Sequence, residues 1–454
     1  MRTSPPDLPG AATTDSPVDR ALALLLAGEK EAALRWSAAV IAQEDAPPSA
    51  LILTSRLLAD LNRTEAAIEG FKLGLSKSID AGNLPLAVAA VADLKALGTD
   101  VSAALDDISG AFCLGSPRLS ETPPPPPPLP TFTEFQPLSS FLTGPALLSK
   151  ATQIVHEASR KTDEQRASLG DPTPVAPLAL FSALEKPALR ELINAFEMIT
   201  VPAGKEVIVE GEEGAEAYIV ARGELEVRRK AQDGDEGPDT LARLTNGALF
   251  GEMALLSRAP RAGSVVACRP SILLVARRDA LEVVAEKRPD VGAELAAHCR
   301  RRMVANLVRT SPVLRTVPPL ERPALVERFE TKTYEKGDRL IANGADADGL
   351  HLIASGEVTI VGYEGNEPFV IATLGVGDVV GEVALVLRRR SSADVLAVRP
   401  TVTLHLPRAD FMDLIREHPA ILQSLYMLAV ERDEETSNVL ATSSVTLTDD
   451  YVLV

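Results

Sequence analysis

Two charged residues stand in an otherwise small and apolar stretch and are spaced to do chemistry together. Glu252 lies in Phe250-Gly251-Glu252-Met253-Ala254-Leu255-Leu256, and Arg261 in the continuation Ser257-Arg258-Ala259-Pro260-Arg261-Ala262-Gly263-Ser264-Val265. The chemistry is capture of a compact anion. Gly251 lets the backbone approach closely, and a short helix after it would aim unpaired N–H groups at the ligand. Arg261 adds a planar fork able to donate two parallel hydrogen bonds, which a lysine could not reproduce. A carboxylate such as Glu252 in so apolar a run is costly without a partner.

The same stretch occurs twice. Gly204, Gly211 and Gly223 match Gly337, Gly344 and Gly356, and Gly251-Glu252 matches Gly381-Glu382, with a slightly shorter offset. The difference fits a longer hairpin loop in the first half, from Arg229 to Asp239, so a duplicated domain is expected. The second copy keeps Gly381-Glu382-Val383-Ala384-Leu385 but has Ser391 where the first has Arg261, followed by Ser392. Arg390 is one place early and could substitute only if the loop bulged. Asp394 replaces Ser264 and is expected to bring a negative charge near the anion position. Losing the arginine should cost about 2–5 kcal/mol of anion affinity, so site two is expected to be empty or altered.

The elements that must position these residues are short strands between glycine turns: Glu206–Val209, Ala217–Ala221, Leu225–Arg228, Ser271–Val275 and Thr401–Leu406. Helices flank them at Ala188–Phe196 and Arg278–Val308, and again at Ala324–Phe329 and Arg408–Arg432. The fold class expected is multidomain α+β: an all-α helical-hairpin region, then two tandem β-barrel or jelly-roll domains with flanking helices.

The run Phe-Gly-Glu, a short helix of small apolar residues, then Pro-Arg-Ala resembles the phosphate-binding cassette of the cyclic nucleotide-binding domain family, and the resemblance covers both repeats. It implies a cyclic nucleotide as ligand and no other cofactor. The implied binding set is Phe250, Gly251, Glu252, Met253, Ala254, Arg261, Ala262 and Gly263, with Glu252 accepting from the ribose 2′-hydroxyl and balancing Arg261. The degenerate counterpart is Gly381, Glu382, Val383, Ala384, Arg390, Ser391 and Ser392. Ala262 stands where cGMP-preferring relatives often carry threonine, which favours cAMP over cGMP. The family's mechanism implies a population shift, the helix after the barrel repacking and moving the second domain.

Upstream, residues 1–16 are expected to be disordered, and 17–113 helical. Leu22, Leu24, Leu25, Ala32, Leu34 and Ala38 can share one face, as can Leu57, Leu58, Leu61 and Ile68. Ala33-Leu34 matches Ala67-Ile68, and Gly28-Glu29 matches Asn62-Arg63, a period resembling tetratricopeptide hairpins; a plain helical bundle fits the same residues. This region is expected to dock a protein partner. A Pro-rich linker, 114–175, holds the run Pro123–Pro128 as a stiff spacer and a helix within Leu138–Arg160 with Leu147, Leu148, Ile154 and Val155 on its apolar side. The domains are expected at 176–310 and 311–437, with a tail at 438–454.

The layout resembles regulatory subunits of cAMP-dependent protein kinases, which order a docking helical segment, a linker and two sensors in this way. Their linker carries a basic substrate-like sequence; Gln165-Arg166-Ala167-Ser168-Leu169-Gly170 has one arginine where two are usual. The alternative is a scaffold that senses nothing, its barrels relics and its helical region the binding surface.

Composition narrows the function classes. A net charge of −17 with pI near 4.9 argues against a nucleic-acid grip, and no helix-turn-helix follows the second barrel. Three scattered cysteines, Cys113, Cys268 and Cys299, suggest a reducing compartment, and the cytoplasm is the expected location. The apolar Ala21–Gly28 lacks the flanks of a signal peptide, no run is long enough to span a membrane, and His298-Cys299 lacks further metal ligands. No phosphate loop, kinase set, zinc motif or nucleophile elbow is visible, so no enzyme is expected.

Overall fold

Glycine and proline punctuate the chain where elements end. In the computed structural model, residues 16–43, 46–122, 135–168, 173–229, 239–256, 260–310, 327–364 and 367–446 are described, together with Pro318 and Leu325. Of the stretch 1–16 expected to be disordered, 1–15 lie outside the described residues while Ser16 caps Pro17–Leu26; the Pro123–Pro128 spacer, most of the Arg229–Asp239 loop and Asp449–Val454 also lie outside them.

The helical region forms successive helices Pro17–Leu26, Lys30–Ile41, Pro48–Asp60, Thr64–Asp80, Leu84–Ala96 and Ser102–Phe112. Gly28 and Asn62, the two matched breaks, both take left-handed backbone, with φ of 83° and 62°. Asn tolerates this conformation better than most residues because its short amide bonds locally. Pro17, Pro48 and Pro85 sit in the first turns, where a missing N–H costs nothing.

Beyond this region the structure departs from expectation at its longer helices. The linker helix runs Gly144–Ser168 and does not stand apart. Leu147, Ala151, Ile154 and Val155 are buried in the same core as the N-terminal helices. The helix expected over Arg278–Val308 is two, Arg278–Lys287 and Pro289–Thr310. That expected over Arg408–Arg432 is likewise two, Arg408–Glu417 and Pro419–Thr446, and the latter runs into the stretch assigned as tail. In each pair a proline opens the second helix, because its ring cannot continue the first.

Each barrel is two antiparallel four-stranded sheets. In the first, β1 (Glu197–Val201), β8 (Ser271–Arg277), β3 (Glu216–Arg222) and β6 (Leu249–Phe250) lie side by side in that order. The facing sheet orders β2 (Glu206–Ile208), β7 (Ser264–Ala267), β4 (Leu225–Arg229) and β5 (Asp239–Leu244). The second barrel repeats this with β9 (Glu330–Tyr334), β16 (Thr401–Pro407), β11 (Gly349–Ser355) and β14 (Val379–Val380). Its facing sheet is β10 (Arg339–Ile341), β15 (Asp394–Ala397), β12 (Val358–Glu364) and β13 (Glu367–Leu374).

Strand β8 is buried on both faces. Leu273 faces the barrel interior with Val201, Val220, Leu225 and Phe250, while Ile272, Leu274 and Ala276 join one continuous core with the helical region. Polar contacts seal the seam. Buried Asp19 pairs with Arg222 at 2.6 Å and Arg269 at 3.5 Å, and Asn83 Nδ2 donates to the Ala221 carbonyl at 3.2 Å. Fully burying one aliphatic side chain contributes about 1.5–3 kcal/mol, so a shared core of this extent makes the helical region part of the first barrel. The equivalent outer face of the second barrel, Leu350, Leu352, Leu404 and Leu406, is covered by Met303, Val304 and Leu307 of Pro289–Thr310 and by Phe411, Leu414, Ile421 and Leu425.

Candidate functional site

The site is built where β6 turns into a four-residue helix, Met253–Leu256, and the chain returns through Pro260 to β7. Gly251 adopts φ of 73°, and a Cβ there would meet Arg261 Nη1, Ile208 and the Glu216 carbonyl at 2.9–3.2 Å. Only glycine fits such a turn against so close a neighbour.

Arg261 has a side chain 8% exposed. Nη1 donates to the Gly251 carbonyl at 2.8 Å and Nη2 to the Glu216 carbonyl at 2.9 Å, while the Glu216 carboxylate lies 3.6 Å from Nη2. Burial depresses the guanidinium's pKa, opposed by Tyr218, Glu216 and Glu252. Two carbonyls thus hold the fork in place and use part of its five-donor capacity. Gly214 makes the room: a Cβ at that position would stand 2.2 Å from Nη2.

Glu252 is buried, and its Oε1 accepts from Arg302 Nε at 3.1 Å. The expectation that Glu252 balances Arg261 holds only at a distance, through its charge acting on the guanidinium. The carboxylate beside Arg261 is instead that of Glu216, and Glu252 is claimed by a cation from the helix after the barrel, Pro289–Thr310. The second barrel repeats this, with Arg432 Nη1 donating to Glu382 Oε1 at 2.5 Å, again 50 residues on. Burial raises the pKa of Glu382, and Arg432 opposes it.

The other expected residues surround this pair. Phe250 is buried and stacks on Tyr218, ring centroids 5.2 Å apart; its role is packing of the barrel interior. Met253 packs against the core cluster that Met303, Val304 and Leu307 of Pro289–Thr310 form with second-domain residues, and Ser355 Oγ of β11 donates to the Pro260 carbonyl at 3.3 Å. The cassette of the first barrel therefore touches the second domain directly at Pro260. Ala262 is exposed, and a Cβ on Gly263 would meet the Arg228 carbonyl. Ser257–Ala259 and the side chain of Ala254 lie outside the described residues. A cleft of about 610 Å³ between the two domains opens beside the cassette on Glu216 and Leu255, with Arg277, Arg278, Tyr334 and Thr401 in its walls.

In the second barrel the backbone follows the same path. The Gly211 N–H donates to the Arg261 carbonyl and the Gly344 N–H to that of Ser391, at 2.9 and 2.8 Å. Ser391 is thus the spatial counterpart of Arg261. Its hydroxyl donates to the Ala393 carbonyl at 2.8 Å. Arg390 points to solvent, its side chain 72% exposed, with Asp346 at 3.7 Å, so no bulge brings it inward. Ser392 is exposed, and Gly381, like Gly251, is left-handed.

Asp394 corrects a further expectation. Ser264 Oγ accepts from the Glu210 N–H at 3.0 Å, and Asp394 Oδ1 does the same for the Asn343 N–H at 2.7 Å. Its other oxygen accepts from the Tyr363 hydroxyl at 2.5 Å and faces Arg339 at 3.5 Å. Burial acts to raise its pKa, but Tyr363, the Asn343 N–H and Arg339 outweigh it and hold the carboxyl low. The charge is engaged by β10, the turn after it and β12, and does not stand free at the anion position.

Sequence reasoning missed Gly214, Glu216, Tyr218 and the arginines on the post-barrel helices. Arg302 and Arg432 keep the same spacing from their glutamates in both halves, a signal that the repeat comparison could have used. Glu216 holds the fork through its main-chain carbonyl, for which side-chain identity carries no signal, while its carboxylate also lies 3.6 Å from Arg261 Nη2.

The profile of the family described as Cyclic nucleotide-binding domain matches residues 198–288 and 331–418. A cAMP-dependent protein kinase type II regulatory subunit of Drosophila melanogaster is 31% identical over 244 residues, covering 54% of this chain and 60% of that protein. A cAMP-dependent protein kinase regulatory subunit of Colletotrichum orbiculare is 29% identical over 270 residues, covering 58% and 66%. The chain spans less than two thirds of either relative. Among solved structures, the regulatory domain of Toxoplasma gondii PKA with cAMP is 26% identical, covering 56% of this chain and 92% of that one, with a TM-score of 0.28. Among the described residues, no helix is long and apolar enough to cross a membrane.

Proposed function

From a chain that carries two cyclic nucleotide-binding domains in tandem and is homologous to regulatory subunits of cAMP-dependent protein kinases, we propose a regulatory protein that binds cAMP in its first barrel only. The observation that carries this reading is the buried Arg261 fork, held by the carbonyls of Gly251 and Glu216. A preset guanidinium suits the two exposed oxygens of a cyclic phosphate, because its orientation need not be paid for on binding. The exposed Ala262 offers no hydroxyl to a guanine base, which favours cAMP over cGMP.

Signal transfer would start at Glu252. A ribose hydroxyl donating to its carboxylate competes with Arg302, and releasing Arg302 frees Pro289–Thr310, whose residues cover the second barrel. Met253 packs on the cluster that this helix shares with the second domain, and Pro260 adds a direct contact to that domain. The output is a bound protein partner, and no catalytic step belongs to this chain. Because the helical region is fused to the first barrel by a common core, we assign its partner-binding surface to the same rigid unit that holds the ligand.

Calorimetric titration of the full chain with cAMP and cGMP tests the proposal. One cAMP per chain is expected, with weaker cGMP binding and loss of both in Arg261→Ala. No heat from the unmutated protein at millimolar cAMP would favour a scaffold with relic barrels.

A further inference from the structure

The second barrel did more than lose an arginine. At positions equivalent by sheet register it carries Asp348 for Ala215, Gly349 for Glu216, His351 for Tyr218 and His405 for Val275. Tyr218 pairs across the strands with Val275, and His351 pairs with His405 in the same way. We propose that these exchanges convert the second site from an anion site to a cation site: Asp348, His351 and His405 hold a divalent transition-metal ion of the Zn²⁺ class.

The geometry is that of a ligand set. One ligand atom from each residue falls in a group within 4.8 Å of one another. Asp348 Oδ1 is 3.4 Å from His351 Nε2, and Oδ2 is 3.4 Å from His405 Nε2. A tetrahedral ion with bonds of about 2.0–2.1 Å spaces its ligands by about 3.3–3.4 Å, a spacing that each oxygen meets for one imidazole, so the exposed carboxylate turns to offer one oxygen to both. Two imidazoles and one carboxylate are the donors a borderline ion selects, and three protein ligands leave a fourth position open.

The surroundings fit as well. His351 Nδ1 lies 3.3 Å from Thr403 Oγ1, an outer contact of the kind that fixes a ligating ring and leaves Nε2 to the metal. The His405 side chain is 5% exposed, and its ring nitrogens face the Asp348 and Glu330 carboxylates at 3.4 and 3.8 Å without a well-aligned hydrogen bond. A buried polar group in that state is costly, and a metal bond to Nε2 removes the cost for that atom. Gly349 is required beside it, since a Cβ there would stand 2.4 Å from Nε2. The Asp348 side chain is 58% exposed and gives an entry path. Two charges complete the setting: Lys332 Nζ is 3.2 Å from Asp348 Oδ2, and Glu330 Oε2 is 3.8 Å from His405 Nδ1. Lys332 competes with the ion for the carboxylate, and its one-third exposed side chain can turn to solvent.

The test is calorimetric titration of EDTA-treated full chain with ZnCl₂, together with the visible spectrum after CoCl₂ addition. One Zn²⁺ per chain and the d–d bands of tetrahedral Co²⁺ are expected. Asp348→Asn, at an exposed side chain, should lower Zn²⁺ affinity at least about tenfold while melting as the unmutated chain does in EDTA. Lys332→Met should tighten binding, an outcome that a purely structural Lys–Asp pair would not produce. Absence of Zn²⁺ binding, or binding unchanged in Asp348→Asn, overturns the proposal. Neither result depends on whether the first barrel binds cAMP.

Discussion

The two barrels share strand order, a left-handed glycine at the cassette and a buried glutamate paired with an arginine 50 residues later. They differ at Arg261 against Ser391, Gly214 against Ala347, and Glu216 against Gly349. What persists in both is what a barrel needs to hold the helix after it. What differs is what only an anion needs. The Glu382–Arg432 pair survives in the copy without the arginine, so the glutamate's first duty is to clamp the post-barrel helix. The exchange at Gly214 shows that the loss is also locked in. A Cβ at that position stands 2.2 Å from the guanidinium in the first barrel, and the second carries one on the buried Ala347.

The largest effect expected is on Arg261. Arg261→Ala removes a buried, charge-assisted anchor, and truncation of such a partner costs about 2–5 kcal/mol, on the order of 30-fold to several thousand-fold in affinity. Calorimetry with cAMP measures it directly, and equal affinity in variant and parent would erase the distinction between the barrels. Gly214→Ala should reproduce part of that loss without touching a charge. Overpacking of about 1–3 kcal/mol would push the fork off its carbonyls, so roughly tenfold weaker binding is expected with little change in fold by circular dichroism.

Much of this contrast was legible in the sequence, and the reasons are physical. Glycine spacing survives duplication because left-handed turns admit few other residues, so the repeat, the barrel pattern and the Ser391 substitution could all be read. The division of the long helices was missed although Pro289 and Pro419 marked it. The packing of the helical region on the first barrel was missed for a different reason. The proline run suggested a spacer, while the sign of docking lay in β8, whose Ile272–Ala276 run is apolar at every position. Such a run signals a strand covered on both faces. Asp348, His351 and His405 could not be grouped from one sequence, since their meeting depends on strand register between β11 and β16.

A gain of function is the sharper probe of the comparison. Ser391→Arg alone should bind no cyclic nucleotide at the second barrel, because Ala347 blocks the guanidinium. Ser391→Arg with Ala347→Gly should restore weak binding, since the Gly349 carbonyl occupies the place of the Glu216 carbonyl. The expected recovery is part of the roughly 2–5 kcal/mol lost with the arginine, seen as a second, weaker cAMP site in the titration. Binding by the single variant would show that the clash inferred from Gly214 is relieved elsewhere.

The smallest effect expected separates the two clamps. Removing one partner of a buried ion pair leaves the other uncompensated and costs up to several kcal/mol, less where solvent reaches the pair. Arg432 is 15% exposed and Arg302 34%, with both glutamates nearly inaccessible. Glu382→Gln should therefore destabilise the ligand-free chain by about 2 kcal/mol, and Glu252→Gln by about half as much. Denaturant unfolding without nucleotide measures both. The inequality carries the functional point: a sensor must be able to release its clamp, and the better-shielded pair belongs to the barrel proposed to bind no anion. Equal costs, or a larger one at Glu252, would mean that the two post-barrel helices are held alike and that signal transfer does not begin at the glutamate.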